Sequence, residues 1–107
     1  MLKKIAGKAF KPEFLLEYQN GSVVSKEIIR KNTGTVSLFA FDKRQCLSGH
    51  TVPFDALVYI ADGSAEIRIA GRPHIVKKGE IIILPAGKPH SLKAIRKFKM
   101  LLIMIKS

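Results

Sequence analysis

The chain has 107 residues, 19 of them Lys or Arg and 8 of them Asp or Glu, for a formal net charge of +11. That length argues for one compact domain rather than two, with enough buried surface for a real core. An apolar content of 47% argues against global disorder, and a single Cys excludes an intramolecular disulfide framework or a zinc finger needing several Cys. No run approaches the ~18–20 apolar residues that span a bilayer, so no membrane association is expected.

Taken in chain order, residues 1–20 read as an N-terminal arm and the only region with room for helix. Leu2, Ile5, Ala6, Ala9 and Phe10 fall at helical spacing with Lys3, Lys4 and Lys8 between them. A basic amphipathic helix on a membrane surface is one reading, but Gly7 weakens it. An arm packed on the domain or on a partner subunit is the preferred one. Gly7, Lys8 and Lys11 also interrupt any apolar run that a signal peptide would need. A cytoplasmic protein with Cys46 reduced is therefore expected.

From position 20 onward, turn signals recur at short intervals: Asn20-Gly21, Asn32-Thr33-Gly34, Ser48-Gly49, Asp62-Gly63, Gly71-Arg72-Pro73, Lys78-Gly79 and Pro85 through Pro89. The runs between them are rich in β-branched and aromatic residues. They predict strands near 22–30, 35–42, 54–61, 64–70, 74–78, 80–84, 90–95 and 98–106. Ala65-Glu66-Ile67-Arg68-Ile69 alternates as a half-buried strand should. Asp62-Gly63 between two such runs predicts a tight hairpin, which needs positive φ. Eight short antiparallel strands without a long helical pattern predict an all-β sandwich or barrel over residues 21–107.

One segment has a distinctive layout. Gly79-Glu80-Ile81-Ile82-Ile83-Leu84-Pro85-Ala86-Gly87-Lys88-Pro89-His90 reads Gly, five residues, Pro, one residue, Gly, two residues, His. Gly79 turns the chain into an apolar strand, Pro85 and Gly87 end it in a tight turn, and His90 opens the next strand. This layout resembles the second conserved motif of the cupins. The segment from Gly49-His50-Thr51-Val52-Pro53-Phe54-Asp55-Ala56 to Asp62-Gly63 resembles their first motif. The resemblance spans about 35–107 and is to small single-domain cupins. It implies a jelly-roll β-barrel, often a homodimer, with inward positions forming a packed core or a pocket.

In metal-binding cupins the two motifs supply three His and one Glu. Aligned on Gly63, this chain matches only at His50 and His90; Val52 and Ala56 stand where the second His and the Glu would be. His50 and His90 are the candidate metal ligands, for a divalent transition metal. Two imidazoles are an incomplete set, and Cys46, His74 or Asp55 would have to complete it. No cofactor is firmly implied. The period-2 rule sends 50, 52, 54 and 56 to one face and Asp55 to the other, unless Pro53 introduces a bulge. Cys46 shares the parity of His50, with Gly49 between them. The candidate ligand-binding pocket is thus Cys46, His50, Val52, Phe54, Ala56 and His90. Read structurally, the two His hydrogen-bond each other, water or backbone, Cys46 is a buried inert thiol, His74 is an edge residue and the Phe side chains are core.

The fingerprints of nucleophilic, phosphate-loop and dinucleotide chemistry are absent from the sequence. Three functions remain. The first is binding of a small organic or anionic ligand in the barrel pocket. The second is a cupin enzyme of oxygenase or isomerase type using His50 and His90 with a metal, or one of them as a metal-free base. The third is recognition of an acidic partner or nucleic acid through the basic surface. The cations are scattered along the sequence without interleaved aromatics, so nucleic acid is not expected and a solvated basic surface is. Apolar positions on both faces of 100–105 predict a homodimer.

Overall fold

The structure, a computed structural model, describes residues 2–106. The arm begins with a single helical turn, α1 (Leu2–Ile5), shorter than the helical spacing over 2–10 suggested. Gly7, at φ +77°, takes the chain out of it. A 3₁₀ turn follows at Pro12–Phe14, opened by a proline whose fixed φ suits a first helical position. Beyond it Leu16 is 3% exposed and clusters with Leu38 and Ala40, while Leu15 and Tyr18 pack around them. The arm therefore covers one face of the sheet that carries those residues.

Eight strands follow: β1 (Val23–Lys31), β2 (Gly34–Phe41), β3 (Cys46–His50), β4 (Asp55–Ile69), β5 (Arg72–Lys77), β6 (Ile81–Leu84), β7 (His90–Lys93) and β8 (Phe98–Ile105). All pairings are antiparallel. The order is β1-β2-β8-β4-β7-β3, with β5 and β6 also paired to β4. The sheet curls on itself as a jelly-roll barrel, the architecture expected from the strand pattern and the motif resemblance.

β4 makes the curl possible. Its first half, residues 55–60, pairs with β6 and β8; its second half, residues 64–69, pairs with β5 and β7. Between them the register against β8 slips at Ile60/Asp62. Ala61 is the extra residue of a bulge, and Asp62-Gly63 continues one fifteen-residue strand, paired with Lys99 and Phe98, in place of the hairpin turn that the dipeptide predicted. Gly63 sits at φ +70°, and a Cβ there would run into the Lys97 carbonyl oxygen. Bulge and hairpin make the same local demand for positive φ. Pairing partners decide between them: residues 64–69 find β5 and β7 rather than folding back on 55–60.

The main core lies between the two arms of β4. Phe41, Val58, Ile60, Ile67, Phe98 and Met100 are each 0–1% exposed. Phe41 and Phe98 stack with ring centroids 4.5 Å apart and planes 11° apart. Each such side chain contributes about 1.5–3 kcal/mol by leaving water, and together they fix the face of each strand that points inward. β3 did not emerge from the sequence. It contains Ser48-Gly49 and every residue in it is exposed, so no apolar alternation marks it. Its pairing with β7 holds it.

Candidate functional site

On β8, Met100, Leu102 and Met104 follow Phe98 with a period of two, on the inward face. They meet Ala56 and Leu84 across the sheet, through the registers Ala56↔Met104 and Ala56↔Leu84. Together with Phe39, Leu47, Val52 and Leu92, these residues enclose a cavity of about 40 Å³. Nine of its eleven lining residues are apolar; the other two are His50 and His90.

Local chemistry places the two histidines. β3 and β7 pair Leu47 with Leu92 and His50 with His90, so three steps on β3 match two on β7. The extra residue is absorbed at Ser48-Gly49, and it brings both Leu47 and His50 onto the cavity. On the other side, the Ala86 amide donates to Asp55 Oδ1 at 2.8 Å and the Gly87 amide to the Val52 carbonyl at 2.9 Å. These two bonds clamp the β6–β7 turn against the segment before β4. The next residue able to start a strand is His90, which is 6% exposed, whereas His50 is exposed.

The rings lie edge to face, centroids 4.4 Å apart, with the two Nε2 atoms 3.2 Å apart. His50 Nδ1 is 3.0 Å from the Ser48 carbonyl oxygen. A carbonyl can only accept, so His50 carries its proton on Nδ1 and offers a lone pair at Nε2. His90 must then donate from Nε2, which leaves His90 Nδ1 as a bare lone pair in the neutral protein. That nitrogen is buried and has no hydrogen-bond partner among the described residues. Burial and then repulsion from His50 push the His90 pKa below the ordinary histidine value, with the Lys88 backbone acting weakly the other way. The hydrogen bonds thus run one way, from His90 Nε2 to His50 Nε2 and from His50 Nδ1 to the Ser48 carbonyl.

Of the six residues expected at the pocket, His50, His90, Val52 and Ala56 line the cavity; Cys46 and Phe54 do not. Cys46 is exposed because the bulge at Ser48-Gly49 breaks its shared parity with His50. It is not the buried thiol that the structural reading supposed. Phe54 lies in a bend between β3 and β4, after Pro53, where period-2 alternation no longer applies. Its ring lies 6.0 Å from Lys106 Nζ. Leu47, Met100, Leu102 and Met104 also line the cavity; residues 100–105 are apolar on both faces, so the sequence alone does not mark which of them point inward.

The donor set does not fit the cupin metal centre. The cavity offers two imidazoles whose Nε2 atoms are hydrogen-bonded to each other, and apolar side chains occupy the remaining ligand positions at Val52 and Ala56. The Asp55 carboxylate is engaged by Ala86, Cys46 points away, and His74 lies exposed on β5. No group of three or more His, Cys, Asp or Glu suited to a metal exists among the described residues. No helix among them is long and apolar enough to cross a membrane.

Comparison with known proteins places this geometry. The family profile described as a cupin domain matches residues 45–106. Among solved structures, a conserved protein of unknown function from Streptococcus pyogenes is 32% identical, with a TM-score of 0.90 over 94% of this chain and 89% of that one. A cupin 2 conserved barrel domain protein from Leptotrichia buccalis is 42% identical, with a TM-score of 0.83 over 85% of this chain. This chain spans 44% of the length of that protein. A cupin superfamily protein from Desulfitobacterium hafniense shares the fold at 24% identity, with a TM-score of 0.89 over 94% of this chain and 93% of that one. None of the curated proteins matches the sequence.

Proposed function

The chain belongs to the cupin family, and we propose that it is a ligand-binding member that holds a small organic molecule against the His50–His90 pair without a metal. The observation that carries this reading is the cavity's composition. Its wall is apolar apart from two coupled imidazoles, one of which keeps a buried, unpaired acceptor nitrogen. A buried ring nitrogen needs a hydrogen-bond partner, from the protein, a water or a ligand, and the protein supplies His90 with a partner for only one of its two.

Size limits the ligand. A cavity of about 40 Å³ has room for roughly three water molecules, whereas sites for drug-sized ligands run to about 300–1,000 Å³. The ligand therefore places only a small apolar group inside and extends over the exposed His50 edge. A larger group requires Met100 and Met104 to swing aside, which unbranched thioether side chains do at low cost. Its polar group faces the imidazoles. A hydroxyl or amide donor satisfies the lone pair of His90; a carboxylate binds once the pair takes up a proton.

The test is a fragment screen followed through the methyl resonances of Met100 and Met104. Bound fragments are expected to shift both methyls, and His50→Ala and His90→Leu are expected to abolish binding while the proteins stay folded. Carboxylate fragments should tighten as pH falls through the lowered titration of His90, and neutral ones should not. Two results overturn the reading: no fragment moves those methyls, or one equivalent of Mn, Fe, Ni, Cu or Zn binds and is lost in both His variants.

A further inference from the structure

We propose that a compact polyanion, a small molecule carrying at least two phosphate groups, binds in a basic groove at the bend of β4. The cations that look scattered in the sequence converge there. Lys43 comes from the β2–β3 turn, Lys77 from the end of β5, Lys78 from the β5–β6 turn, and Arg96 and Lys97 from the β7–β8 turn. Together they line an open groove of about 970 Å³. The floor is Gly63 and Ser64, just past the bulge.

The framework fixes this convergence. Backbone hydrogen bonds tie the β5–β6 turn to β4, from the Lys78 amide to the Gly63 carbonyl at 3.0 Å and from Gly79 to Ile60 at 2.8 Å. Others tie the β2–β3 turn to the segment after β7, from Arg44 to the Ala94 carbonyl at 2.6 Å and from Ala94 to Gln45 at 2.9 Å. The cations are carried on turns that are already pinned, so little ordering is needed when a ligand arrives.

The groove's own carboxylates, Asp42 and Asp62, offset only part of its charge. Asp62 accepts the Tyr18 hydroxyl at 2.6 Å and Asp42 accepts the Gly21 amide at 2.7 Å. Both are occupied in bracing the N-terminal segment. None of the five cations enters an ion pair among the described residues, although Lys97 Nζ lies 4.8 Å from the Tyr18 ring centroid. They exceed the lining carboxylates by three positive charges, a local field that draws anions in. Lys ammonium groups and an Arg fork are the usual partners of phosphate oxygens.

Shape chooses a compact ligand over a nucleic-acid strand. The groove is local, its volume falls in the small-molecule range, and none of its lining residues is aromatic, so it offers bases no stacking platform. It shares no residue with the histidine cavity, so this site stands or falls apart from the proposed function above.

Calorimetry on the full chain at low ionic strength tests it, with pyrophosphate, AMP, ADP and a short oligo-dT as probes. Pyrophosphate and ADP are expected to bind one per chain, with AMP about tenfold weaker for its missing phosphate. Lys78→Gln/Arg96→Gln should weaken ADP about tenfold or more, through two lost charge-assisted contacts. Lys4→Gln/Lys31→Gln, with the same change in net charge, should leave the affinity within about twofold, and His90→Leu should leave it unchanged. A stronger response to ADP than to pyrophosphate would assign the site to nucleotides, and equal responses to the phosphates alone; both support the proposal. Absence of binding by pyrophosphate and ADP overturns it. So does an equal effect of the two double variants, equal affinity for AMP and ADP, or tighter binding of the oligonucleotide.

Discussion

Replacing His90 by Leu should leave the fold intact and make it more stable. In the neutral protein the substitution removes one hydrogen bond, that to His50 across 3.2 Å, worth about 1 kcal/mol net. It also removes a buried nitrogen with no protein partner, and relieving such a group returns about 1–3 kcal/mol. The new side chain meets a wall that is already apolar, with Leu84, Leu92 and Met100 around it. The lost His50 partner is replaced by water, because His50 is exposed. The net expectation is a stabilisation of about 0–2 kcal/mol near neutral pH, read as a rise in the urea midpoint with an unchanged slope. Acidification should widen the gap. The His90 pKa is pushed down in the folded protein, so below the unfolded value of about 6.5 the unfolded chain binds the proton first and wild-type stability falls. The loss develops from about pH 6.5 down through the folded pKa, and His90→Leu should remove that component. A destabilisation of more than about 2 kcal/mol at neutral pH, the range of a damaged core, would refute the argument and make His90 a structural residue.

Other expectations follow from single contacts. Gly63→Ala combines a left-handed φ of +70° with a collision against the Lys97 carbonyl; a loss of at least about 2 kcal/mol in a urea titration is expected, and a loss under about 0.5 kcal/mol would show that the bulge relaxes freely. Tyr18 should ionise well above the ordinary tyrosine range, because burial and the bond to Asp62 both oppose the phenolate. Stability should then fall as pH rises beyond about 10, where the unfolded chain releases the phenol proton first; an ultraviolet titration with both tyrosines ionising normally would contradict this. A homodimer is the expected solution state, since Ile81, Ile83 and Ile105 remain 47–58% exposed; chromatography at low micromolar concentration giving a clean monomer would contradict it.

Much of the barrel could be read from the chain because its signals are local. The Ile81–Leu84 apolar run, the Pro85 and Gly87 turn and the alternating segment from Ala65 to Ile69 are each marked within a few residues. What escaped depends on partners far along the chain. Asp62-Gly63 suits a hairpin turn and a strand that continues past a bulge at Ala61, and the pairing of residues 64–69 with β5 and β7 selects the continuous strand. β3 has no apolar alternation of its own and exists because β7 lies beside it.

The candidate site repeats this division on a smaller scale. His50 and His90 were visible through motif spacing. Whether Cys46 or Leu47 would join them turned on one extra residue at Ser48-Gly49, which the sequence marks only as a turn signal. That same irregularity aims His50 Nε2 at His90 and so sets which nitrogen of each ring holds the proton. The bulge in β3 thus decides the chemistry the pair can perform, while the bulge in β4 gathers the cations at the other feature of interest. Both sites lie beside a point where a strand breaks its period, and a bulge re-aims side chains that a regular pleat would point elsewhere.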